Sequence, residues 1–214
     1  MTFFIFDMDG TLYSLGEGGF AKSRFKEDAY KRAPIFIAER LGESLESALE
    51  KFKFLDVKYN GDVSIGIEKE FGVSRYEYFE RVWSPNPADY IKKICLRETM
   101  SYFKGKSAIL TAATRCWAKK VLEYLEIYEQ YKDALFTGEP DIRKPNPLAF
   151  KQVLDYFNIP PEQAVSIGDQ EENDIIPAKS LGIKTVIIRG KSINADFCIE
   201  SLEELIKLIE GGKL

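Results

Sequence analysis

Hydrophobic and polar positions along this chain follow two different periods. Short, nearly continuous apolar runs are typical of strands that are buried on both faces. They predict strands at Phe3–Phe6, Ala108–Leu110, Ala134–Phe136, Ala164–Ile167, Thr185–Ile188 and Phe197–Ile199. Between the later runs, apolar residues recur at helical spacing and predict helices at Trp117–Leu125, Pro147–Phe157, Ile175–Leu181 and Leu202–Ile209. This alternation of strand and helix predicts a doubly wound α/β sheet.

The segment 14–99 interrupts this alternation, because only helix-like patterns occur in it. These patterns predict helices at Phe25–Tyr30, Ile35–Leu41, Leu45–Leu55, Gly66–Phe71 and Tyr76–Trp83. A stretch of this length is too long for an ordinary loop. We therefore expect a core domain formed by residues 1–13 and 100–214, with residues 14–99 as an inserted all-helical domain.

Composition narrows the class of protein. The chain has 214 residues, of which 45% are hydrophobic, so it can bury a substantial core. Its 30 basic and 34 acidic residues leave a net charge of −4, which gives no reason to expect binding to nucleic acid. The apolar runs are shorter than a membrane span, and the N-terminal run lacks the basic lead of a signal peptide. We expect a soluble, cytoplasmic protein without a membrane partner.

The chain contains no histidine, and this excludes more than any other count. Ser-His-Asp and Cys-His nucleophilic systems are impossible, as are His-ligated zinc and haem sites. Cys95, Cys116 and Cys198 are too far apart for a zinc knuckle and odd in number, so we expect them to be reduced. An enzyme of this composition that has no cofactor must draw its chemistry from carboxylates, lysine and hydroxyl groups, with or without a hard metal ion.

The segment FDMDGTL directly follows the first predicted strand. Side chains two positions apart in an extended chain point the same way, so Asp7 and Asp9 can face one site. Gly10 permits a sharp turn, and Thr11 can hydrogen-bond a neighbouring carboxylate. The carboxyl ends of strands are where open α/β sheets bind ligands. The alternative is a simple Asp-Gly turn with two solvated acids.

Three later segments also follow predicted strands or approach a helix. Thr111 ends a strand in ILTAATR, where its hydroxyl and the next N–H groups can hold a phosphate oxygen or cap a helix. Lys144 in RKPNPLAF is either a functional group or a surface charge. Asp169 and Asp174 in SIGDQEENDI either suit Mg²⁺, together with the first pair, or favour a helix N-terminus.

With these segments in this order, the chain resembles the haloacid dehalogenase superfamily of phosphotransferases over its whole length. The family's four motifs match DMDGT, Thr111, Lys144 and GDQEEND. The resemblance implies a Rossmann-like core and an all-helical cap at residues 14–99. It also implies that Asp7 is the nucleophile and Asp9 the general acid/base.

The resemblance further implies a binding site for phosphate and metal. Thr111 and Lys144 would contact the phosphate, and Mg²⁺ would be held by Asp7, Asp169 and the backbone carbonyl of Asp9. Asp174 would support the metal site or orient the lysine. The family often has Asn after the threonine, whereas Ala112 follows here. We expect the N–H of Ala112 to serve the phosphate and a side-chain contact to be absent.

The second acid favours one activity within the family. Dehalogenases of the superfamily lack an Asp at this position, because expulsion of halide needs no acid. Asp9 therefore indicates a Mg²⁺-dependent phosphatase that hydrolyses a small soluble phosphomonoester through an aspartyl-phosphate. The alternatives are a sugar phosphomutase resembling β-phosphoglucomutase and a non-catalytic binding protein on the same fold. The sequence leaves open whether the substrate is a nucleotide, phosphoglycolate or a sugar phosphate, and also the oligomeric state.

Overall fold

The computed structural model describes residues 2–16, 18–139 and 142–214, and the chain divides into two compact units. One unit is made of Met1–Gly16 and Ile91–Leu214. The other is the inserted stretch Glu17–Tyr90. The first unit contains the sheet, and the described residues of the inserted unit form helices joined by turns.

In the described residues of the first unit the strands form one six-stranded sheet, which confirms the predicted α/β class and all of the predicted strands. The strands are β1 (Phe3–Phe6), β2 (Ser107–Leu110), β3 (Leu135–Phe136), β4 (Ala164–Gly168), β5 (Lys184–Ile188) and β6 (Phe197–Ile199). Their order across the sheet is β3-β2-β1-β4-β5-β6, and every neighbouring pair is parallel. β1 therefore lies between β2 and β4, so the three carboxyl ends meet at one edge.

Within residues 18–90 the inserted unit has four α-helices: α1 (Arg24–Leu41), α2 (Leu45–Lys58), α3 (Val63–Phe71) and α4 (Arg75–Val82). Short 3₁₀ turns lie at Phe20–Lys22 and Pro87–Asp89. Serine side chains at Ser23, Ser44 and Ser74 cap three of the helices by accepting a backbone N–H. Aromatic rings of this unit pack edge to face, as in Tyr30 against Phe52.

The predicted break between Phe25–Tyr30 and Ile35–Leu41 is wrong, because both segments belong to α1. Pro34 lies inside that helix and is buried together with Ala33 and Phe36. A proline inside a helix removes one backbone donor, and its ring crowds the carbonyl four residues earlier. The helix nevertheless continues through Pro34, because packing of its buried face stabilises it more than the proline destabilises it.

The remaining helices surround the sheet: α5 (Arg97–Ser101), α6 (Arg115–Tyr124), α7 (Tyr128–Tyr131), α8 (Pro147–Phe157), α9 (Ile176–Lys179) and α10 (Leu202–Glu210). Phe3 and Ile5 of β1 pack in one cluster with Phe150 of α8. Phe4 and Phe6 point the other way and contact the ring of Phe103 at 5.1 and 4.9 Å between centroids. Both faces of the sheet are therefore covered, which explains its continuous apolar strands.

The helix predicted at Ile175–Leu181 is only partly correct. The chain forms a π-helix at Glu171–Ile175, and α9 follows it at Ile176–Lys179. The three cysteines are free, and Cys95 and Cys198 are exposed. Among the residues described, none of the helices is both long and apolar enough for a membrane span.

Candidate active site

The carboxyl ends of the three central strands carry the predicted polar residues. Asp7 follows β1, Thr111 follows β2 and Asp169 follows β4. The backbone N–H of Asp7 donates to Ile167 at 2.8 Å, and that of Thr111 donates to Phe136 at 3.0 Å. These bonds extend the parallel ladder by one residue. The sheet thus fixes the position of each side chain through its backbone.

Lys144 is buried, so its interpretation as a surface charge is wrong. Its Nζ donates to Asp7 Oδ1 at 2.5 Å and to Asp174 Oδ1 at 2.6 Å. The residue lies just before Asn146, which caps α8, and its peptide bond to Pro145 is cis. Burial favours the neutral amine, but the two carboxylates raise the pKa of Lys144 above its ordinary value. The lysine is therefore a fixed cation beside Asp7.

Asp174 is positioned by the π-helix and by the end of β4. Its Oδ2 accepts the backbone N–H of Gln170 at 3.0 Å, and its carbonyl accepts the hydroxyl of Ser166 at 3.0 Å. A Cβ at Gly168 would lie 2.2 Å from the Asp174 side chain, so glycine is required for this approach. Burial raises the pKa of Asp174, and Lys144 opposes this change. Both carboxylate oxygens of Asp174 are therefore engaged, one by the ammonium of Lys144 and the other by the N–H of Gln170.

A group of three acids lies at the same edge. Asp7, Asp169 and Asp174 each place a carboxylate oxygen within 4.8 Å of the others. Asp7 Oδ2 and Asp169 Oδ1 are buried, and neither has a hydrogen-bond partner among the described residues. Burial, together with the charges of Asp7 and Asp174, raises the pKa of Asp169 to about 7. These carboxylate oxygens are buried, lie close together and receive no hydrogen bond from the described residues. Such a group of negatively charged oxygens fits a hard divalent cation.

The carboxyl group of Asp9 contacts a different set of partners from that of Asp7. Its Oδ1 accepts the hydroxyl of Tyr13 and the indole N–H of Trp117, the latter at 3.0 Å, and its Oδ2 lies 3.5 Å from the hydroxyl of Thr111. Burial raises the pKa of Asp9 to about 6, although the hydrogen bond from Tyr13 lowers it. The Asp9 side chain is not in the group of three acids. The contact between a metal ion and the backbone carbonyl of Asp9 stays a prediction.

Thr111 is not a helix N-cap, because Thr114 caps α6 by accepting the N–H of Trp117. The Thr111 hydroxyl instead accepts the N–H of Ala113 at 3.0 Å. Ala112 between them is exposed, and its methyl group offers no polar contact. The hydroxyl of Thr11, expected to bond a carboxylate, is buried and has no partner within the described parts of the chain.

Sequence reasoning missed three residues of this region. Tyr13 and Trp117 both contact Asp9, and Arg189 holds the loop that contains it. Nη1 of Arg189 donates to the carbonyl oxygens of Gly10 and Thr11, at 2.6 and 3.0 Å. Arg189 directly follows β5, so its position after a buried strand was a signal that could have been used.

Comparison with known proteins decides the family. The profile of the haloacid dehalogenase-like hydrolases matches residues 1–182. The chain belongs to this family. The glyceraldehyde 3-phosphate phosphatase of Methanocaldococcus jannaschii is 26% identical over 98% of this chain and 97% of its own length. The phosphoglycolate phosphatase of Aquifex aeolicus is 23% identical over 99% of this chain and 98% of its own.

A shorter match has a higher identity. The glyceraldehyde 3-phosphate phosphatase of Pyrococcus furiosus is 33% identical over 101 residues, which span 43% of this chain and 42% of that protein. These curated names agree with the enzyme class predicted from the motifs, a phosphoric monoester hydrolase.

Solved structures of the family share the fold. A haloacid dehalogenase-type phosphatase from Thermococcus onnurineus aligns with a TM-score of 0.67 at 21% identity, covering 99% of both chains. A 2-haloacid dehalogenase from Pseudomonas syringae aligns with a TM-score of 0.62 at 16% identity, covering 99% of this chain and all of its own. Proteins named for different reactions fit the same architecture, so the fold alone does not specify the activity.

Proposed function

We propose that this haloacid dehalogenase-like hydrolase is a Mg²⁺-dependent phosphatase of small soluble phosphomonoesters, with Asp7 as its nucleophile. The observation that carries the proposal is the separation of the two acids of the first motif. Asp7 contacts the Lys144 ammonium at 2.5 Å, whereas Asp9 contacts Tyr13 and Trp117. One carboxylate is therefore held in a cationic environment for attack, and the other is held apart for proton transfer.

The chemistry assigned to the chain's own residues has two steps. A carboxylate oxygen of Asp7 attacks phosphorus while the bond from phosphorus to the leaving oxygen breaks, and Asp9 protonates that oxygen. Asp9 then removes a proton from water, whose oxygen attacks phosphorus. The bond from phosphorus to the Asp7 oxygen breaks, so inorganic phosphate leaves and the Asp7 carboxylate is restored. Lys144 offsets the repulsion between the carboxylate and the phosphoryl oxygens.

The metal site of this proposal uses acids that the sheet brings together. Asp7 and Asp169 would hold the ion, because each has a buried oxygen without a partner among the described residues. The backbone carbonyl of Asp9 is the further ligand that we propose. A bound Mg²⁺ supplies positive charge to phosphoryl oxygens. Asp174 supports the site indirectly, since its oxygens already accept from Lys144 and Gln170.

The phosphate is assigned to Thr111, Lys144 and the N–H of Ala112. Thr111 lies beside the proposed acid/base, because its hydroxyl is 3.5 Å from Asp9 Oδ2, and the same hydroxyl accepts the N–H of Ala113. The inserted unit Glu17–Tyr90 is the part of the chain to which we assign a cap's role in substrate choice. Relatives named for glyceraldehyde 3-phosphate and phosphoglycolate support a small substrate. We propose that the reaction takes place in the cytoplasm.

The proposal is tested by a screen of phosphomonoesters with Mg²⁺ present and after treatment with EDTA. Glyceraldehyde 3-phosphate, phosphoglycolate, nucleotides and sugar phosphates are compared, and both released phosphate and isomerised sugar phosphate are measured. We expect metal-dependent phosphate release. Isomer formation without phosphate release would establish a phosphomutase instead. Failure to convert any compound under both conditions would favour a non-catalytic binding protein.

A further inference from the structure

Two aromatic side chains from separate segments donate hydrogen bonds to the carboxyl group of Asp9. The Tyr13 hydroxyl and the Trp117 indole N–H both donate to the same oxygen, Oδ1. Tyr13 and Trp117 are 1% and 2% exposed, so neither ring has room to turn freely. Tyr13 also pairs with Asp9 in an isolated bridge, and the backbone N–H of Trp117 is held by the Thr114 hydroxyl. Backbone hydrogen bonds therefore help to hold both rings beside Asp9.

The donor chemistry distinguishes the two oxygens of Asp9. An indole N–H can only donate, so the Oδ1 atom it contacts must act as an acceptor. Oδ2 has the Thr111 hydroxyl at 3.5 Å as its neighbour, a longer and weaker contact. Oδ2 is consequently the oxygen left for the substrate. Without the rings, rotation about the Cβ–Cγ bond would exchange the two oxygens.

We propose that Tyr13 and Trp117 are positioning residues that fix the Asp9 carboxyl with Oδ2 presented to the leaving group. This inference rests on the proposed phosphatase function and adds residues to it. In the first step the proton passes from Asp9 Oδ2 to the leaving oxygen as its bond to phosphorus breaks, and Asp9 becomes a carboxylate. The Tyr13 and Trp117 donors stabilise that carboxylate, because hydrogen bonds to a charged acceptor are stronger than those to a neutral one.

The kinetic test uses Tyr13→Phe and Trp117→Phe, which remove the donors and retain an aromatic ring. Each variant is assayed with p-nitrophenyl phosphate, whose leaving group needs little protonation, and with an alkyl phosphate, whose leaving group needs it. We expect kcat for the alkyl ester to fall roughly tenfold, the loss of one hydrogen bond to a charged group. KM and turnover of p-nitrophenyl phosphate should change much less, because phosphate and metal contacts are retained.

Tyr131→Phe is the matched control. Tyr131 is 1% exposed and its hydroxyl lies 2.9 Å from the Ser107 hydroxyl, but it does not contact Asp9. It reports the effect of removing a buried tyrosine hydroxyl from the same unit, and we expect equal effects on the two esters. Each substitution is also made in an Asp9→Asn background, where Tyr13→Phe should cause no further loss for the alkyl ester. Equal losses for both esters in Tyr13→Phe, or additive losses with Asp9→Asn, would overturn the positioning role.

An NMR measurement that needs no turnover tests the positioning role separately from the proposed phosphatase function. The chain has two tryptophans, so ¹⁵N-labelled protein gives two indole N–H signals, and Trp117→Phe identifies one of them. Asp9→Asn should shift the Trp117 signal and leave that of Trp83 in place. An unchanged Trp117 signal would refute the positioning role even in an active phosphatase. Absence of hydrolysis by the wild-type protein would instead refute the function, and the indole shift would still report the contact.

Discussion

A Cβ atom at Gly10 would lie 2.1 Å from Oδ2 of Asp169. The backbone at Gly10 also has φ of +91°, a conformation that other residues rarely adopt. The turn after Asp9 is thus pressed against the acid that follows β4. Arg189 holds the turn there by donating to the carbonyl oxygen of Gly10 at 2.6 Å.

Gly10→Ala should therefore displace Asp169 from Asp7. We expect kcat/KM to fall about a hundredfold, because a misplacement near 1 Å at a reacting group has effects of this size. Gly105→Ala is the control, since Gly105 has φ of +76° but nothing within 4 Å of a Cβ. The control should lose about 1 kcal/mol of stability and little activity. Steady-state kinetics and thermal unfolding are measured on both, and equal activity in the two variants would contradict the account.

Lys144→Met should strongly destabilise the fold. It leaves Asp7 and Asp174 as buried carboxylates without their cation, for which we expect a loss of about 3–5 kcal/mol. The control is Lys151→Met, which breaks an exposed pair with Asp155 at 2.6 Å and should lose less than about 1 kcal/mol. The free energy of unfolding is obtained from urea titrations at pH 8. Similar losses in both variants would show that the Lys144 pairs have no special role.

The raised pKa of Asp169, about 7 in the folded protein, predicts how stability depends on pH when metal is absent. An unfolded Asp titrates at about 4, so between pH 4 and 7 the unfolded state has lost a proton that the folded state retains. The free energy of unfolding should fall as pH rises through this window. Asp169→Asn removes this contribution, so in EDTA the variant should have the higher Tm at pH 8, with a gap that narrows towards pH 5.

Mg²⁺ should reverse that order at pH 8. The ion offsets the negative charges of Asp7 and Asp169. Added Mg²⁺ is therefore expected to raise the Tm of the wild-type protein and to change that of Asp169→Asn little. Differential scanning fluorimetry with and without Mg²⁺ gives both comparisons. If Asp169→Asn has a lower Tm than the wild-type protein at pH 8 in EDTA, Asp169 is not the source of the pH dependence. If Mg²⁺ raises the Tm of both proteins equally, Asp169 does not bind the ion.

Substrate choice is predicted to depend on the inserted unit. Replacing residues 17–90 with a short linker leaves the acids, Thr111 and Lys144 in place. We expect the shortened protein to hydrolyse p-nitrophenyl phosphate weakly and to lose far more kcat/KM for the preferred metabolite, since remote binding energy no longer aligns the substrate. Circular dichroism checks that it remains folded. A folded, soluble variant that ranks substrates as the full chain does would argue against a cap.

The sequence predicts the sheet well, because strands buried on both faces need continuous apolar runs such as Phe3–Phe6. It also predicts that Asp7, Thr111 and Asp169 meet, since the carboxyl ends of neighbouring parallel strands share one edge. The direction of the Asp9 carboxyl could not be predicted, because it depends on donors from two segments far apart in the chain. Burial of Lys144 likewise depends on two acids that only the folded chain brings to it.

The central claim is that Asp7 becomes covalently phosphorylated, and acid-quench mass spectrometry tests it most directly. The wild-type protein and Asp7→Asn are mixed with the best substrate and Mg²⁺, quenched within the first turnover and digested. We predict that a phosphoryl group is found on the peptide containing Asp7 in the wild-type protein and on no peptide of the folded Asp7→Asn variant, which does not turn over. Hydrolysis by Asp7→Asn at the wild-type rate, or a phosphoryl group on another residue, would contradict the account.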